Sequence, residues 1–67
     1  MSDAILRGVA EDLKGVEVHI EEAQMLIDAM KEAGEQVSEQ EASLRSLRTR
    51  KEKWKRMLEA RGIKASE

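Results

Sequence analysis

Ten residues spaced alternately three and four apart run through the first half of the chain: Leu6, Val9, Leu13, Val16, Ile20, Ala23, Ile27, Met30, Gly34 and Val37. That rhythm returns to the same side of an α-helix every two turns, so it specifies one long helix with a single apolar stripe. Ser2 or Asp3 serves as the expected N-cap, and Asp3 adds negative charge where the helix dipole favours it. Gly34 stands where a left-handed residue would close the helix. The first helix is therefore expected over 3–33, roughly 30 residues and about 45 Å at the α-helical rise.

Beyond Val37 the same phase would place Glu41, Arg48 and Lys51 in the core, so the stripe ends there. Ser38-Glu39-Gln40-Glu41 reads as a capping box, in which Ser38 and Glu41 each satisfy the other's free amide. A turn is expected over 34–38 and a second helix over 39–61. Its apolar positions are Leu44, Leu47, Trp54 and Leu58, with Lys51 between them in the same stripe and Met57 widening it. Gly62 is the expected C′ residue, Ile63 its apolar follower against Leu58, and residues 64–67 the frayed end of a tail over 62–67.

So short a connection between long helices sets them antiparallel. The fold class expected is all-α: a coiled-coil-like antiparallel two-helix hairpin, one domain over 1–67, that associates into a helical bundle. The intrachain core is expected to be Leu13, Val16, Ile20, Ile27, Met30, Leu44, Leu47, Trp54 and Leu58. Matching the stripes sets Val16 against Leu58, Ile20 against Trp54, Ile27 against Leu47, and Met30 against Leu44. Lys51 then falls opposite the small Ala23, its stem running out to solvent. Lys31 is expected beside Glu41, and Glu17 beside Lys55.

Composition narrows the function. Proline and cysteine are absent and Trp54 is the sole aromatic residue. Without cysteine there is no disulfide, thiol nucleophile or thiolate metal site. A small domain lacking such staples fits a reducing cytoplasm, the expected location. The start of the chain has no basic segment leading into an apolar run, so no signal peptide is expected. The longest apolar run, Met25-Leu26-Ile27, is far too short for a bilayer. His19, the single histidine, has Glu22 one turn on and Asp12 two turns back, too few converging ligands for a metal. No phosphate-binding glycine loop or nucleophile motif is present. No catalytic residue, metal, cofactor or small-molecule substrate is expected.

What remains are surfaces. Helix 1 carries more apolar side chain than one partner helix covers. Ile5 and Leu26 extend its stripe on one edge, while Gly8, Gly15, Val18, Met25 and Ala29 form a second series interrupted by Glu11 and Glu22. These seven residues are the candidate contacts for a protein partner, for a second copy of the chain, or for both. The net charge of −2 conceals a polarity: residues 1–43 carry −8 and residues 44–67 carry +6. The two halves then attract each other, or the basic half meets phosphate. The function expected is a small non-enzymatic interaction module of the adaptor, co-chaperone or assembly-accessory kind. The alternative is a nucleic-acid-binding regulator using Arg45, Arg48, Lys53, Lys55 and Arg56. No membrane contact is expected, because the apolar face of helix 2 is committed to helix 1.

Overall fold

The computed structural model describes residues 3–64 and consists of two helices, α1 (Asp3–Glu32) and α2 (Ser38–Ala60), folded back on each other. Ser2, one of the two N-cap candidates, and residues 65–67 of the tail lie outside the described residues. The molecule measures 49 × 16 × 15 Å, a rod formed by two helices side by side. It is an all-α helical hairpin.

Both helices end in the same way, and the two glycines explain why. Gly34 has φ +85° and Gly62 has φ +82°, a region in which a side chain would be strained. At the first end the Glu35 amide donates to the Met30 carbonyl (2.9 Å) and the Gly34 amide to that of Lys31 (3.0 Å). At the second, Ile63 donates to Leu58 (2.9 Å) and Gly62 to Glu59 (2.9 Å). These are the paired bonds of a Schellman close, which satisfy carbonyls the helix itself leaves free. Ile63 is buried against Leu58, as its position after Gly62 implied.

The start of α2 departs from expectation. Val37, not Ser38, is the N-cap residue (φ −128°, ψ 18°), and no side chain caps the helix. The Glu41 amide donates to the Val37 carbonyl at 2.8 Å, while the Glu41 carboxylate lies 3.1 Å from Lys31 Nζ. The capping box is absent because Val37 is buried in the core. Drawing it inward places Ser38 inside the first helical turn, and Glu41 takes up a cation from α1 instead.

The core divides into two clusters. Near the turn, Ile20, Ile27, Val37 and Leu44 are buried, with Val16, Ala23, Met30 and Leu47 packed around them. At the open end, Ala10, Leu13, Leu58 and Ile63 are buried, flanked by Leu6, Val9 and Met57. Leu58 thus packs with Leu13, whereas Val16 belongs to the other cluster, one step along the stripe from the expected layer. Lys51 likewise stands beside Glu17 (Nζ to Oε2 3.7 Å) rather than opposite Ala23, and Glu17 does not take Lys55. The cause is the tightness of the turn. Both helices rise equally per residue from a turn centred near Glu35, so residues equally distant from it meet. Lys31 and Glu41 pair as expected because they sit close to the observed register, within reach of their long side chains.

Trp54 is the main correction to the expected core. It is 47% exposed, resting against one side of the hairpin rather than sealed inside it. Two helices give each stripe position one wall, and a large ring at the margin of that wall keeps its other face in solvent. Ala10, which no stripe position marked, is buried because Leu58 and Ile63 close over it. That closure also covers part of Leu6 and Val9.

Candidate protein-interaction surface

The two long edges of the hairpin are chemically unlike. On one, polar groups bridge the helices: Lys31 with Glu41 at 3.1 Å, and Arg48 Nη2 donating to Gln24 Oε1 at 3.1 Å. Gln24 Nε2 in turn donates to Asp28 Oδ1 at 3.0 Å. Lys51 reaches Glu17 at 3.7 Å and its neighbour Glu52 at 3.4 Å. The exposed contacts among these stabilise by about 0–1 kcal/mol each, and beside them lies a depression lined by Gln24, Glu41, Leu44, Arg45 and Arg48. We call this the polar edge.

The opposite edge is open. Near the turn a groove is lined by Ala23, Leu26, Ile27, Met30, Leu44 and Leu47, with His19, Glu39, Gln40 and Ser43 at its lips. Farther along, a second depression is lined by Val9, Leu13, Val16, Leu47, Lys51 and Trp54, with Asp12 on the α1 lip and Arg50 on the α2 lip. Trp54 continues into a third, shared with Lys53 and Met57. Leu47 belongs to the first two and Trp54 to the last two, so the three form one apolar channel running along the hairpin.

Of the seven expected interface residues, the structure brings Leu26 onto this channel, where it is 62% exposed. Ile5 is exposed near the start of α1. Val18 and Met25 project from the outer side of α1, and nothing lies within 4 Å of a Cβ built on Gly8 or Gly15. Ala29 is exposed as well. That outer series shares no depression with the channel. The residues sequence reasoning placed elsewhere are Leu47 and Trp54, assigned to the core, and Met57, read as widening the apolar face of helix 2. The signal that could have marked them is the helix count, since two helices leave half of each stripe uncovered.

The basic residues of α2 are largely unneutralised. Lys51 alone among them meets an α1 carboxylate; Arg45, Arg50, Lys53, Lys55 and Arg56 have no ion pair among the described residues. Arg48, Lys53 and Arg56 line a shallow outer depression with Thr49 and Glu52.

Among the described residues, no group of three or more His, Cys, Asp or Glu side chains is placed to hold a metal ion. No described helix is long and apolar enough to cross a membrane. No family model, curated protein or solved structure matches the chain.

Proposed function

We propose that this protein is a small non-enzymatic interaction module that acts by docking helical protein surface along its open edge. The observation that supports the reading most is the channel itself, with Leu26 62% and Trp54 47% exposed on its lips. Contiguous apolar surface of this kind, rimmed by polar residues, marks protein contact sites on soluble domains. Trp54 has the properties of a hot spot: a large rigid face, half-anchored by its own chain, with little rotamer freedom left to lose. The polar edge has no apolar equivalent: its depression is lined by Gln24, Glu41, Arg45 and Arg48 beside Leu44.

The outer face of α1 is the weaker candidate. Its apolar members are separated by Glu11 and Glu22, and its glycines leave open space. The two surfaces are separated by a capture experiment in which tagged protein retains its ligand from the source cell. Trp54→Glu and Leu26→Glu are expected to abolish retention while circular dichroism stays helical. Gly8→Ala with Gly15→Ala is expected to retain the ligand and to raise stability by about 2 kcal/mol, since each helical glycine costs about 1 kcal/mol. Loss of retention in the alanine pair, with the channel variants unaffected, would move the site to the outer face.

A second reading is favoured by one observation. Arg45, Lys53, Lys55 and Arg56 have no carboxylate partner among the described residues, so together with Arg48 they could neutralise phosphates. Glu52 and Glu59 interleave with them on α2 and lower its positive potential. Retention of labelled DNA or RNA with a steep negative salt slope supports this reading, and no retention even at low salt removes it.

A further inference from the structure

We infer that the occupant of the open edge is a second copy of this chain, set so that α1 of each copy faces α2 of the other. The twofold axis runs parallel to the helices. This rests on the interaction-module reading above and names its partner.

Two observations carry it. The first is area. The chain exposes 5132 Å² for a mass of 7.6 kDa. A compact monomer of that mass exposes about 4300 Å². The excess, roughly 800 Å², is what one partner contributes to an ordinary stable interface.

The second is charge. Residues 3–32 carry eight acidic and three basic side chains, residues 38–60 four acidic and seven basic. A dimer that set α1 on α1 would oppose like charges along its length. Setting α1 on α2 of the second copy opposes unlike ones, so the sign pattern selects the crossed arrangement.

A twofold axis parallel to the helices preserves height, so the two Trp54 rings stand at one level across the seam. Because the contact is isologous it closes on itself as a four-helix bundle and does not propagate into a filament.

The test is charge insertion in the channel, read by sedimentation equilibrium. Wild-type protein is expected to be a dimer at micromolar concentration. Leu26→Glu and Trp54→Glu each place a charge in the seam, and each is expected to weaken the dimer at least about tenfold. Met25→Glu, on the outer side of α1, is expected to leave the dimer unchanged. Circular dichroism of each variant checks that the hairpin is intact. A wild-type monomer at millimolar concentration overturns self-docking, as does a dimer that Leu26→Glu and Trp54→Glu leave unchanged. If that monomer still loses a captured protein ligand on Leu26→Glu, self-docking alone falls. If it captures nothing on which the channel variants act, the interaction reading falls with it.

Discussion

Leu58→Ala is expected to leave the hairpin substantially unfolded at room temperature. Among the described residues Leu58 is the one large side chain with no exposed surface, at 0%. It joins Ala10, Leu13 and Ile63 in the cluster at the open end. Its carbonyl also accepts the amides of Arg61 (3.0 Å) and Ile63 (2.9 Å), so the chain reversal at Gly62 is built over it. Truncating a buried leucine to alanine costs about 3 kcal/mol, the sum of lost transfer energy and the cavity left behind. A domain of this size has a total stability of about 3–5 kcal/mol from its core. The thermal midpoint should fall by more than about 10 °C, measured by circular dichroism at two protein concentrations to separate folding from association. A fall of less than about 3 °C would mean that the open-end cluster contributes little and that Ile20, Ile27, Val37 and Leu44 hold the fold alone.

Lys51→Leu is expected to act in the opposite direction. Lys51 occupies a core position of the α2 stripe, and its side chain is only 17% exposed. It separates the two apolar clusters, with Glu17 at 3.7 Å and Glu52 at 3.4 Å as its compensation. A partly desolvated ion pair of this kind regains little more than it costs, and an apolar side chain of similar length often improves on it. The substitution joins the two clusters into one, and the denaturation midpoint should rise by an amount equal to about 2 kcal/mol. Glu17 remains about one-third exposed, so it is not stranded as a buried charge. The lysine contributes pairing instead. A cation at a core position accepts few alternative registers, because it must meet a carboxylate on the facing helix. A lower midpoint in Lys51→Leu would show that the Glu17 contact stabilises the fold and does not merely set its register.

The elements of the hairpin were legible for identifiable reasons. The heptad stripe gave the phase of α1 around its axis, and Gly34 and Gly62 gave both helix ends because their left-handed conformation disfavours other residues. The Lys31–Glu41 pair was legible because two long side chains of opposite sign bridge a small mismatch in height. The register of the apolar layers was not. Periodicity says which side of a helix faces inward, but not which layer of one helix meets which layer of the other. The true pairing of Leu58 with Leu13 follows from the height of a turn whose geometry depends on burying Val37. Ser38 and Glu41 matched a capping pattern by residue type, yet that same burial moved the helix boundary by one residue.

The candidate site was legible only in part. Leu26 stood out as apolar surface beyond what one helix could cover. Trp54 did not, since a tryptophan in a heptad stripe reads as core whenever the stripe is assumed to be fully enclosed. Its exposure is a property of helix number: a third and a fourth helix are needed to cover its other face. The sequence left open whether the basic residues of α2 meet α1 carboxylates or phosphate; among the described residues, Glu17 is the one α1 carboxylate in an ion pair with them.

Trp54 also supplies the most direct measurement of the central claim, that a second copy closes the open edge. It is the only tryptophan, so its fluorescence reports on the channel without any label. With the ring 47% exposed in a single chain, emission at high dilution should be solvent-like and readily quenched by acrylamide. As concentration rises through the association range, emission should move to shorter wavelength and the quenching constant should fall, with the same midpoint as the rise in sedimented mass. Dimerisation that leaves Trp54 emission and quenching unchanged would place the contact elsewhere on the hairpin and contradict the account.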